Sequence, residues 1–246
     1  MQTNNEILNA LRKEILCLQG LGIRTDSDQS YVPLGPVLDN MPEGIFPTGA
    51  IHELLSPTPA AWAATTGFIN AVVHSLAKDD KPCLWVSTRR MVFPLGMKTF
   101  GIEPDRVVFI DTAKEKEALW TIEEALKCES LCAVVGEITE LDFVQSRRLQ
   151  LAVENSKVTG FINRLFPRTV HPTACVARWQ VSPINSRVED GLPGVGYPRW
   201  KVELLKIRNG KPGSWKLEWT VNGFRSVDKP LHKVVPSLLQ LQSISA

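Results

Sequence analysis

The chain has 246 residues, with 28 Lys and Arg against 26 Asp and Glu, 43% hydrophobic residues and 22% charged. Such a length predicts one domain with a large core, alone or with appendages, and the composition excludes disorder, collagen and coiled coil. A net charge of +2 excludes a polycation built to coat nucleic acid.

The opening residues Met1 to Asn5 are polar, and Glu6 stands where a secretion signal carries basic residues, so no signal peptide is expected. Residues 3–18 read as a helix: Thr3 and Glu6 suit a capping box, and Ile7, Leu8, Leu11, Ile15 and Leu18 form one apolar stripe. Gly20 and Gly22 stop it, which sets off residues 1–24 as an N-terminal amphipathic helix. Such a helix buries its stripe only by docking on the main domain or on another chain.

From Leu38 onward strands and helices alternate. Strands are expected at Ala50–Leu55, Cys83–Val86, Val107–Ile110, Cys132–Val135 and Val158–Ile162. Helices are expected at about 60–77, 93–100, 114–127 and 141–155. The uncharged run Leu54–Ala77 holds Pro57, Pro59, Asn70 and His74, so it reads as a turn and a buried helix, not a membrane span. Short continuous apolar strands separated by helices predict a parallel sheet covered on both faces. After residue 173 the helices stop, and Cys175–Val181, Arg199–Ile207 and Trp215–Val221 read as antiparallel strands extending that sheet. The domain is expected to span 31–221, with 222–246 as a tail that packs back on the domain or inserts into a partner groove. The five Cys and four His are scattered and include no C-x-x-C pair. Buried free thiols in a reducing cytoplasm are therefore expected, with neither disulfide nor metal.

Charge is unevenly spread. Eleven Lys and Arg lie between Lys157 and Lys216 against three acids, a local +8 that leaves −6 for the remainder. Three of the seven Trp (179, 200 and 215) lie in the same stretch. Cations interleaved with rings suit single-stranded nucleic acid or an acidic protein partner. The same pattern also fits strands whose Trp point inward and whose Arg and Lys form an ordinary solvated face.

The run Leu38-Asp39-Asn40-Met41-Pro42-Glu43-Gly44-Ile45-Phe46-Pro47-Thr48-Gly49-Ala50 resembles the stretch that leads, through a small hairpin, into the first core strand of RecA-like ATPases. Phe100-Gly101-Ile102, Ala118-Leu119-Trp120, Arg147 to Ala152, and above all the block from Asp190 to Trp215, resemble the ImuA family of RecA-like accessory proteins in bacterial SOS mutagenesis cassettes. The resemblance covers roughly residues 35–220 and implies an α/β fold. Its RecA-like core would be a mostly parallel sheet with helices on both faces and an antiparallel C-terminal extension.

The resemblance places a phosphate loop after Leu55, where the sequence reads Ser56-Pro57-Thr58-Pro59-Ala60-Ala61-Trp62. No G-K-[ST] occurs there or elsewhere. Pro57 and Pro59 remove amide donors, and Trp62 falls near the lysine position. Arg89 falls where the family's water-activating Glu stands, and a guanidinium accepts no proton. The family's metal-binding Asp falls at Gly136 or Glu137, and Glu137 reads as a metal ligand, a solvated carboxylate or a helix cap. Asn163 or Arg164 falls at the γ-phosphate sensor. By resemblance, then, the expected protein is non-catalytic, uses no cofactor and acts by binding during error-prone translesion repair in the cytoplasm. Its implied partners are an ImuB-like polymerase-related protein, an error-prone replicative-type polymerase and RecA, with single-stranded DNA as a further candidate and no membrane. The candidate contact residues are Arg164, Arg168, Arg187, Arg199, Trp200, Lys201, Lys206, Arg208 and Lys211. Two alternatives remain: a cell-division inhibitor of SulA type, and an ATP-dependent recombinase-like motor.

Overall fold

The computed structural model describes Leu11 and residues 32–77, 81–186 and 194–227. The expected N-terminal helix lies outside these residues except for Leu11, which is helical and half exposed. The chain enters through two 3-10 helical turns, Gly35–Asn40 and Pro42–Gly44, where the resemblance implied a small hairpin. Prolines at the start of both turns set φ for a tight helical turn and remove ladder donors. Gly49, at φ +61, turns the chain into the sheet, and a Cβ there would press on the Lys157 backbone at 3.2 Å.

Nine strands form one sheet: β1 (Ile51–Ser56), β2 (Cys83–Ser87), β3 (Val107–Asp111), β4 (Ala133–Ile138), β5 (Thr159–Leu165), β6 (Ala177–Ile184), β7 (Arg199–Ile207), β8 (Gly213–Thr220) and β9 (Gly223–Ser226). The spatial order is β3-β2-β4-β5-β1-β6-β7-β8-β9. All pairings from β3 across to β6 are parallel, and those from β6 to β9 are antiparallel. The α/β reading therefore holds, as a RecA-like core with an antiparallel extension. The extension has one strand more than expected, because β9 lies in the stretch assigned to the tail. Phe224 anchors it by packing on Trp219 and Phe68.

Helix α1 (Pro59–Leu76) covers one face of the sheet, together with residues 32–46 and a 3-10 turn at Pro94–Phe100. Helices α2 (Glu115–Ala125) and α3 (Phe143–Ser156) cover the other. The first layer holds Leu54, Phe68, Trp85, Phe161, Trp179 and Trp200; the second holds Ile51, Ile122, Val134, Leu149 and Ile162. Asp142 caps α3 in a full capping box with Gln145. Gly136 admits α2 against β4, since a Cβ there would collide with Ile122. No helix among the described residues is long and apolar enough to cross a membrane.

Candidate functional site

The carboxyl ends of β1, β4 and β5 meet the start of α1, the place where an open α/β sheet positions a ligand. Ser56 ends β1, and Thr58 caps α1 by accepting the Ala61 N–H at 3.1 Å. Pro59 occupies the first helical turn, so this turn binds its own helix and offers few amides to an anion. One helical turn into α1, the Trp62 indole Nε1–H donates to Glu137 Oε1 at 2.8 Å. Glu137 lies in register with Ser87 on β2 and Asn163 on β5. The Ser56 hydroxyl donates to Asn163 Oδ1 at 2.7 Å.

Glu137 is fully buried, neither the solvated carboxylate nor the helix cap that its position suggested. Burial raises its pKa, and the Trp62, Trp85 and Asn163 donors around it only partly oppose that rise. Of these donors only Trp62 makes a well-formed hydrogen bond; Glu137 Oε2, Trp85 Nε1 and Asn163 Nδ2, all buried, make none. Among the described residues no lysine is bonded to this site, and an indole is bonded to the carboxyl group. Arg89 is exposed beyond the end of β2. Among the described residues no group of three or more His, Cys, Asp or Glu is placed to hold a metal ion.

Beside Glu137 and Asn163 sits a charge cluster centred on the buried Arg164 and Glu53. Arg164 is wholly enclosed and donates to Glu53 Oε1 at 3.1 Å, Glu140 Oε2 at 2.6 Å, and the carbonyls of Thr139 and Thr169 at 3.3 and 2.8 Å. Glu53 Oε2 accepts from Arg178 Nε at 2.8 Å and from the Thr173 hydroxyl at 2.7 Å. Every guanidinium nitrogen of Arg164 thus has an acceptor, as a buried cation requires. On the other side of β1, His52 is buried between Phe46 and Phe161, its Nε2 on the Pro47 carbonyl and its Nδ1 accepting from Trp179. Burial lowers its pKa to about 4, so the ring is neutral.

The candidate contact residues divide. Arg164 and Trp200 are interior. The first is held by the carboxylates just described; the second packs against Phe68, Phe100 and Phe224 and borders an open pocket beside Tyr197 and Arg199. Arg199 and Lys201 lie on the outer side of β7; Arg199 bonds Glu218 at 2.6 Å and Lys201 bonds Glu203 at 2.7 Å. Lys206 and Arg208 reach back to the carbonyls of Thr173 and Ala174 at 3.0 and 3.2 Å, which brings them to the loop that carries the exposed Arg168. Lys211 is exposed, its backbone N–H on the Asn40 carbonyl. Arg187 lies outside the described residues. The sequence reading passed over Phe166, Val170 and His171 in that same loop; Pro167 and Pro172, which frame them, were the available signal.

Fold and site together define a class: a RecA-like α/β core whose first strand runs into a proline-bearing, side-chain-capped helix start instead of a glycine loop. No protein-family model matches the chain. Over 196 residues the sequence is 31% identical to Protein ImuA from two strains of Caulobacter vibrioides, a match that covers 74% of this chain and 80% of that protein. The chain belongs to the ImuA family.

Proposed function

We propose that this protein is a non-catalytic accessory factor of error-prone, translesion DNA repair in the SOS response, acting in the cytoplasm through protein–protein contacts. Membership of the ImuA family supports the mutagenesis role. The bond between Trp62 and Glu137 supports the absence of catalysis: the position that needs a cation for phosphate instead carries a neutral ring bonded to a buried acid. The partners that fit this reading are an ImuB-like polymerase-related protein, an error-prone replicative-type polymerase and RecA. Single-stranded DNA remains a further ligand for the basic side of the sheet extension.

Co-purification of the tagged full-length chain from DNA-damaged cells tests the reading. Recovery of the polymerase-related protein and the error-prone polymerase is expected, at levels unchanged by added ATP. Recovery of a tubulin-like division protein instead would turn the reading towards a SulA-type inhibitor.

A further inference from the structure

The loop from Phe166 to Pro172 joins β5 to β6 and is held in place from beneath. The Phe166 N–H donates to the Ser56 carbonyl at 2.9 Å, and the Arg168 N–H donates to Glu140 Oε1 at 3.0 Å. The Thr169 carbonyl accepts from Arg164 at 2.8 Å, and the His171 carbonyl accepts from Arg178 at 2.5 Å. Thr169 Oγ1 and His171 Nε2 lie 2.9 Å apart within hydrogen-bond reach. Two prolines restrict the chain further.

Phe166 adopts φ 49, a left-handed conformation disfavoured for a side chain of its size. Glu53 and Arg164 behind the loop are themselves costly to enclose, and apolar side chains would fill a core as well. What they accomplish is to fix these carbonyls and amides. The side chains of Phe166 and Val170 are 44% and 50% exposed, with Arg168 and His171 exposed beside them. Lys206 and Arg208 stand at the base, hydrogen-bonded to neutral carbonyls. Arg168, Lys206 and Arg208 have no carboxylate at ion-pair distance among the described residues.

From this arrangement we infer that the 166–172 loop is a preformed docking surface for an acidic segment of a partner protein. This rests on the binding reading given above. Carboxylates of the segment meet Arg168, Lys206 and Arg208, and an apolar side chain packs on Phe166 and Val170. Aromatic and Arg anchors in a rigid frame are the features that concentrate binding energy, because little ordering remains to be done. A single strand of nucleic acid would need successive ring faces. Here an aliphatic Val170 lies between the only two rings, Phe166 and His171.

The test places a photo-cross-linker at the start of the loop (Phe166→p-benzoylphenylalanine) in the full-length chain, irradiates DNA-damaged cells and identifies the adducts by mass spectrometry. The expected adduct is with a protein peptide rich in Asp and Glu, falling by about tenfold when Arg168→Glu is added, as repulsion replaces charge complementarity. Adding Glu140→Ala instead frees the loop while leaving Phe166, Arg168 and Val170 in place, and a severalfold fall is expected. Adducts with nucleic acid, adducts indifferent to Arg168→Glu, or none above those from the same cross-linker at Val221 would overturn the inference. If the wild-type chain co-purifies with the polymerases while the Phe166 adduct fails, only the loop assignment falls. If neither polymerase is recovered, the function falls with it.

Discussion

The two halves of the sheet obey different rules. In the parallel half, β1 and β4 are buried at every position, with helices on both faces. In the antiparallel half, β7 alternates: Trp200, Val202 and Leu204 face inward while Lys201 and Glu203 face out. Among the described residues α2 and α3 cover only the parallel half. The difference separates two jobs. The half that in such folds opens a ligand crevice at its strand ends is here closed by side chains bonded to one another. The half added beside it keeps one charged side in solvent.

The sharpest way to break this contrast is to cut the buried bonds of the closed half. Arg164→Ala leaves the enclosed Glu53 with only one of its two guanidinium partners and should cost about 3–5 kcal/mol in urea unfolding. Acid should act nearly as strongly. His52 has a folded pKa of about 4 against 6.5 when unfolded, so the unfolded chain takes up the proton first. The stability held above pH 6.5 is then lost as pH falls towards 4, by about 3 kcal/mol, and His52→Phe should flatten that slope.

Trp62→Phe removes the indole donor from a buried acid and should cost about 1–3 kcal/mol by thermal melting. Glu137 works in the opposite sense to His52. Its pKa is raised, so the folded state binds the proton more tightly and loses stability as pH rises. Glu137→Gln should therefore gain on wild type with increasing pH, read from paired melts. The smallest effect belongs to the open half. Lys201 faces Lys216 across the β7–β8 ladder, and Lys201→Glu should shift stability by no more than about 0.5 kcal/mol while weakening any anionic ligand.

Much of the fold was legible because its signals are local. Val107 to Ile110 and Ala133 to Val135 are apolar runs bounded by charge or turn, and the change of rhythm after residue 173 marks where the helices stop. Strand β6, expected as antiparallel, still lies parallel to β1, and antiparallel pairing begins between β6 and β7. Strand β9 was not legible: four residues after a turn carry almost no periodicity, and Phe224 finds its partners on α1 and β8. The lost phosphate loop could be read from Pro57, Pro59 and the absent lysine. The partner of Glu137 could not, since Trp62 lies 75 residues away and meets it only because β5 lies between β4 and β1. Arg164 misled for a related reason. A cation in a basic stretch reads as surface, and only the fold shows Glu53 and Glu140 converging on it.

Titration calorimetry with ATP and Mg²⁺, paired with a phosphate-release assay on the same purified protein, tests the closed crevice most directly. No heat of binding and no turnover above a protein-free blank are predicted, for wild type and for Glu137→Gln alike. Stoichiometric binding at micromolar ATP, or hydrolysis that Glu137→Gln abolishes, would contradict the account.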